Sequence, residues 1–220
     1  GMLELLGVPY TGSGVLASAL AMDKIVSKRV LVSAGVPMPT SVDIISRSEL
    51  KKRDITAEVR PLGYPVMVKP SKQGSTIGMS KVASEGELLP AIEEAFKYDN
   101  QVMIEQFARG TEITVGLLGN EDLQVLPIVE IVPAKGFYDY QAKYTPGATD
   151  EIVPARISEK AAEVARNYAV AAFKALGCRG MARVDMIVKS DDDIVILEVN
   201  TIPGMTPTSL LPTAAKAAGI

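Results

Sequence analysis

The chain has 220 residues, with 23 Lys and Arg against 26 Asp and Glu, a net charge of −3, and 47% hydrophobic residues. This balance excludes a nucleic-acid binder driven by bulk positive charge, and no apolar run approaches the length of a membrane span. One cysteine and no histidine exclude an internal disulfide and Ser-His or Cys-His nucleophile pairs, and leave zinc without its commonest ligands.

In chain order, G-M-L-E-L-L-G-V-P-Y-T-G-S-G reads as a helical fragment, a short strand and a Gly-rich turn. Residues 17–34 are helical in period, with Asp23 as cap or break and Gly35, Pro37 and Pro39 as stop signals. Lys24 then sits near a helix N-terminus. Ser46 with Glu49, and Ser84 with Glu87, have capping-box spacing for a short helix and for one running to about Tyr98.

Between those helices, Val66 to Pro70 and Met79 to Val82 read as strands flanking a loop of small polar residues. Ser71, Ser75 and Thr76 and the loop's backbone N–H groups can close over phosphates, with Lys69 supplying charge. It is not a Walker A sequence, because no G-K-[ST] ends it. A plain hairpin loop is the competing reading.

Gln101 to Phe107 reads as a strand, and Glu112 to Leu118 with Leu123 to Val132 as a hairpin over Gly119 to Asp122. The break at Ala108 to Gly110 looks like the join of two units, with a ligand cleft between them. Residues 134–155 have no sustained period and are rich in Tyr and Lys, as in a lid that orders on ligand. Ser158 caps a helix to Leu176, stopped by Gly177. Cys178 beside it is expected to be a small buried residue, and a lone thiol fits a reducing, cytoplasmic setting.

Gly180 to Leu210 carries the chemistry. Arg183 to Lys189 and Ile194 to Asn200 alternate about the loop Ser190 to Asp193. With Lys189 facing Ile194, Asp185 lies opposite Glu198 and Arg183 opposite Asn200. Arg183, Asp185, Ile187, Glu198 and Asn200 then share one face, while Val184, Met186, Val188, Val195, Leu197 and Val199 share the core face. Two carboxylates about 5 Å apart repel by about 3 kcal/mol at an effective dielectric near 20. A hard divalent cation bound by these oxygens would offset that. The competing reading is an Arg183–Asp185 ion pair on a polar outer face. After Asn200 a Pro- and Gly-punctuated turn leads to a helix from about Ser209, whose N-terminus suits a carboxylate.

G-V-P-Y-T-G-S-G-V-L-A-S-A-L-A-M-D-K, V-K-P-S-K-Q-G-S-T-I-G, F-Y-D-Y-Q-A-K-Y, G-M-A-R-V-D and L-E-V-N-T-I-P-G-M-T-P-T-S-L-L-P together resemble the D-alanine–D-alanine ligases of the ATP-grasp superfamily. The resemblance implies an α+β ATP-grasp fold, two lobes of antiparallel sheet and packed helices enclosing a nucleotide cleft. Residues 1–21 would be a lead-in from a preceding domain, 22–108 the small lobe, and 109–220 the large lobe with lid 134–155 and metal-binding hairpin 183–200.

It further implies ATP as nucleotide and two magnesium ions, with manganese able to stand in. Lys24, Lys69 and Lys143 would meet phosphates, Glu105, Gln106, Phe107 and Ala108 the adenine, and Glu112 the ribose. Asp185, Glu198 and Asn200 would ligate metal. Ser75 and Tyr144 would close the lid, Arg183 and Gly204 stabilise an oxyanion, and Ser209 and Leu210 receive the second substrate's carboxylate. Tyr144 favours D-alanine over D-lactate as that substrate.

The implied reaction joins two D-alanines through an acyl phosphate, for peptidoglycan precursors. Nothing in the chain matches the family's preceding domain or its anchoring glutamate, and the usual end of the last helix is missing after Ile220. The chain is therefore expected to bind ATP and magnesium but to be inactive alone, and the full-length protein to be a homodimer without nucleic-acid or membrane partners. The rivals are another ATP-grasp carboxylate–amine ligase and a non-catalytic nucleotide-binding module.

Overall fold

The structure, a computed structural model, describes residues 1–133 and 149–220. Its architecture is α+β, two antiparallel sheets with helices packed on them. The helical fragment expected at the start is α1 (Met2–Leu5), and the helical period at 17–34 resolves into α2 (Val15–Met22) and α3 (Lys24–Ser33). Asp23 ends α2 and caps α3, its Oδ1 accepting the Val26 N–H at 3.2 Å. The short strand expected before residue 14 does not form.

The four-stranded sheet has the order β1 (Ser41–Ile44), β4 (Val102–Gln106), β2 (Val66–Pro70) and β3 (Ser80–Val82). Val66, Val68, Val102 and Ile104 point into a core closed by α4 (Ile55–Val59) and α5 (Glu85–Ala95). Alternation then aims Met67, Lys69 and Glu105 the other way, and all three line a cleft. The box expected before α5 does not close: Ser84 makes no cap bond to the backbone, and its Oγ instead reaches Glu87 at 3.1 Å while the Ala83 N–H donates to the same carboxylate at 2.9 Å. At Ser46 the following turn is a 3₁₀ helix and the serine makes no cap bond.

The six-stranded sheet runs β10 (Ile194–Asn200), β9 (Gly180–Val188), β5 (Thr111–Gly119), β7 (Val129–Pro133) and β8 (Thr149–Ile152), with β6 (Gln124–Val125) beside β5. The expected hairpin partner of β5 is therefore two strands, and the end of the supposed lid, residues 149–152, is a strand paired to β7. Behind the sheet lies α6 (Glu159–Ala175), capped by Ser158 through the Ala161 N–H at 3.1 Å. Ala161, Ala165, Ala169 and Ala172 are fully buried, so the small side chains bring this helix close to the strands.

Leu31 of α3 and Val36 belong to this second core, not to the first. The helix that opens the 22–108 segment thus packs beneath the larger sheet. α7 (Leu210–Ala217) docks on the opposite face, where Gly116 makes room: a Cβ there would lie 2.7 Å from Leu211 Cδ1.

The join between the sheets depends on Gly110. A Cβ at that position would stand 2.2 Å from the Val188 carbonyl oxygen and 2.8 Å from Ile187 Cγ2. Backbone cannot yield as a flexible side chain can, so Gly110→Ala is expected to cost about 1–3 kcal/mol or more, read as a lower urea midpoint.

Candidate active site

The pairing of β9 with β10 matches Asp185 to Glu198 and Arg183 to Asn200, the expected pairs. The count behind that expectation needs correction, because Ile194 faces Val188 rather than Lys189. A bulge between Ile196 and Glu198 adds a residue and restores the register. Before the bulge the faces are the reverse of the expected ones: Ile194 and Ile196 enter the core and Val195 pairs with Ile187. Leu197, expected in the core, lines the cleft with Asp185 and Glu198.

The Arg183–Asp185 ion pair exists, but as part of the cleft. Arg183 Nε and Nη2 each donate to an Asp185 oxygen at 2.9 Å, and the two side chains are 11 and 10% exposed. Thr114 Oγ1 adds a bond to Asp185 Oδ1 at 2.5 Å. The repulsion expected between Asp185 and Glu198 is thus met on the Asp185 side by a bidentate guanidinium and a hydroxyl. A cation is not required to hold the hairpin together.

Among the described residues no three His, Cys, Asp or Glu side chains gather as a metal cluster. Asp185, Glu198 and Asn200 nonetheless present two carboxylates and an amide, a hard oxygen donor set. Asn200 Oδ1 accepts one bond, from the Ile202 N–H at 3.0 Å, and an amide oxygen has a second lone pair. The residues fit magnesium chemically.

On the facing wall Glu105 is 1% exposed, between Lys28 and Lys69. Lys28 Nζ donates to Oε1 at 2.9 Å and Lys69 Nζ to Oε2 at 2.5 Å. Burial works against the charge on Glu105, but Lys69 and Lys28 outweigh it and hold the carboxyl below its ordinary value. Burial pushes the Lys28 ammonium down against the pull of Glu105.

These walls enclose a cleft of about 530 Å³. Lys24, Lys69, Ser75, Glu105, Gln106, Phe107, Ala108, Glu112, Asp185 and Glu198 all line it. A second cavity of about 460 Å³ adjoins it through Lys24, Ser75 and Glu198, and holds Arg183, Asn200, Gly204, Ser209 and Leu210. Lys143 and Tyr144 lie outside the described residues. Ser71, expected to help close over phosphates, lines neither cavity: it is fully buried and its hydroxyl is bonded to Asp23. The other residues that the resemblance singles out each line one of the two.

Local bonds set these positions. Lys24 Nζ donates to the Gln73 carbonyl at 2.5 Å, and Ser71 Oγ to Asp23 at 2.7 Å, fastening the loop after β2 to the start of α3. In that loop Ser75 (φ 53°) and Thr76 (φ 60°) are both left-handed, each at a cost of about 1–3 kcal/mol. Ser209 Oγ lies 2.7 Å from Thr206 Oγ1, and a Cβ on Gly204 would be 2.8 Å from that hydroxyl.

Sequence reasoning missed three groups. Thr114 gave no signal, being a single threonine between Ile113 and Val115 in a strand. Lys81 places its ammonium 4.1 Å from the centre of the Phe107 ring, a cation–π contact at the cleft wall. Lys28 did carry a signal, four residues after Lys24 and so on the same helical face, but a lysine there ordinarily points to solvent.

Residues 30–220 match the family model for the D-Ala–D-Ala ligase C-terminus. The chain is 52% identical to a D-alanine–D-alanine ligase of Pelotomaculum thermopropionicum, covering all of this chain and 70% of that one. It is 51% identical to that of Moorella thermoacetica, covering all of this chain and 72% of the relative. Among solved structures it is similar to the VanG D-Ala:D-Ser ligase of Enterococcus faecalis (TM-score 0.88, 38% identity, 64% of that chain). It is also similar to the Bacillus anthracis D-alanine–D-alanine ligase complexed with ATP (TM-score 0.84, 36% identity, 68% of that chain), and both matches cover all of this chain.

Proposed function

Given that the chain belongs to the D-alanine–D-alanine ligase family, we propose that it forms the nucleotide and metal machinery of an ATP-dependent ligase that joins two D-alanines, in two lobes, 22–108 and 109–220, after a lead-in of residues 1–21. The observation that carries this reading is one cleft in which Lys24 and Lys69 face Asp185 and Glu198, with a second cavity at its side. A triphosphate needs positive charge along its length and a hard cation at its end. The B. anthracis relative complexed with ATP supports the same use of this fold.

In the proposed mechanism a D-alanine carboxylate oxygen attacks the γ-phosphorus, the bond to the β–γ bridging oxygen breaks, and ADP leaves. The amine of the second D-alanine then attacks the acyl carbon, the C–O bond to phosphate breaks, and the amine gives up a proton. Lys24 and Lys69 balance phosphate charge, Glu105 to Ala108 flank the base, and Glu112 meets the ribose. Asp185, Glu198 and Asn200 would hold two magnesium ions, which when bound neutralise charge on the phosphoryl oxygens.

Arg183 and the backbone at Gly204 stabilise the oxyanion of the tetrahedral intermediate. Ser209 and Leu210, at the start of α7, receive the second carboxylate. Ser75, with Tyr144 and Lys143 from the 134–155 segment, closes the site. The product serves cell-wall synthesis in the cytoplasm, and the ligase acts as a homodimer. No helix of the described residues is long and apolar enough to cross a membrane.

A second reading of the acceptor follows from the likeness to a D-Ala:D-Ser ligase. Phosphate release with ATP, magnesium and D-alanine, alone or with D-serine, separates the two. We expect ATP with magnesium to raise Tm, and any turnover to favour D-alanine over D-serine. Because the relatives extend beyond the matched span, turnover by these residues alone is expected to be slight. Absence of any nucleotide-dependent rise in Tm overturns the proposal.

A further inference from the structure

The carboxylate of Glu105 meets two ammonium groups, Lys28 at 2.9 Å and Lys69 at 2.5 Å, and all three residues are buried. One carboxylate thus serves two ammonium groups, with Asp43 acting on Lys28 from further off. The members of this cluster stand differently towards the cleft. Lys69 and Glu105 line it, whereas Lys28 approaches from behind, on α3, and is no part of the wall.

A lone Lys69–Glu105 pair would be self-satisfied. An anion drawing Lys69 away would leave a buried carboxylate without a partner, which is strongly unfavourable. With Lys28 fixed on Oε1, Glu105 stays paired whichever way Lys69 turns. We propose that Lys28 is a positioning residue that holds Glu105 as a standing counter-charge, so that Lys69 is available to the phosphates of the incoming nucleotide.

This rests on the nucleotide reading of the cleft, and it assigns Lys28 no contact with the ligand. α3 suits the role because Leu31, one turn further on, is anchored in the core beneath the other sheet. The lysine is thereby held from outside the four-stranded sheet that carries Lys69 and Glu105. The cluster also accounts for a second buried lysine that the proposed chemistry itself does not use.

The test is calorimetric titration of the full chain with ATP and with adenosine. Lys28→Met is expected to weaken ATP roughly 10- to 100-fold and to change adenosine by less than about threefold, because adenosine asks nothing of Lys69. In a Glu105→Gln background Lys28→Met should have little further effect on ATP, since there is no carboxylate charge left to hold. That double variant has neither the buried carboxylate charge nor the second lysine, and serves if Lys28→Met alone does not fold. Lys28→Arg should keep ATP affinity within about threefold.

Equal loss of ATP and adenosine in Lys28→Met would reduce Lys28 to a structural tie and overturn the proposal, as would unchanged ATP affinity. A full further loss in the Glu105→Gln background would also overturn it. If the wild-type chain binds no ATP, the nucleotide reading falls first and this inference with it, an outcome distinct from wild-type binding with unaffected variants.

Discussion

Asp185→Asn is expected to erase most of the rise in Tm that ATP and magnesium give the wild-type chain, and to slow phosphoryl transfer by at least about 100-fold. With nucleotide at about 100 times its Kd, linkage stabilises the folded state by about 2.7 kcal/mol, roughly 5–10 °C for a chain of this size. The amide keeps the shape of the carboxylate and still accepts from Thr114, but it loses the charge that faces both a cation and Arg183. Arg183 then has a neutral partner in a place where its side chain is only 11% exposed, so the ligand-free Tm also falls. The informative quantity is therefore the increment on adding ligand, and an undiminished increment would sink the metal assignment.

Glu105→Ala is expected to be the costliest single change to the fold outside the apolar core. It leaves the buried Lys28 and Lys69 facing each other with no carboxylate between them. Breaking a buried ionic cluster in this way costs about 3–5 kcal/mol, visible at neutral pH as a lower urea midpoint.

The pH dependence has a defined sign. The two ammoniums overcome burial and hold the folded-state carboxyl of Glu105 below its ordinary 4.5. The folded state then binds fewer protons than the unfolded one in that interval, so this stability is complete above about 4.5 and is lost as pH falls through the lower folded value. The gap in stability between wild type and Glu105→Ala should therefore narrow on acidification below 4.5. A gap independent of pH would mean that the carboxylate charge is not what the variant removes.

Much of this site was legible because its residues obey local rules. The strand at Val66 to Pro70 and the charge of Lys69 beside its loop were readable, and the Ser158 cap and Gly177 stop bounded α6 to within a residue or two. The meeting of Asp185 with Glu198 was also anticipated, although from a register that holds only after the bulge. A bulge leaves little trace in composition, since Leu197 is as apolar as the core residues beside it. Val195 and Leu197 were consequently assigned to the wrong face.

What could not be read was long-range. Lys28 and Glu105 are 77 positions apart, and no periodicity marks a helix lysine as pointing inward. Thr114 matters only because β5 lies beside β9, a pairing set by sheet order. The strand at 149–152 has polar residues at its start, Thr149 and Asp150, and gains its identity from β7 rather than from its own propensity.

The placement of Leu31 and Val36 under the six-stranded sheet bears on how the polypeptide can be dissected. Division between residues 108 and 109 follows the sequence but severs a shared interior, stripping the downstream piece of part of its filling and leaving the upstream piece with a greasy, unseated helix. An autonomous downstream module would have to bring the 15–36 stretch with it, by circular permutation or as a separately supplied peptide.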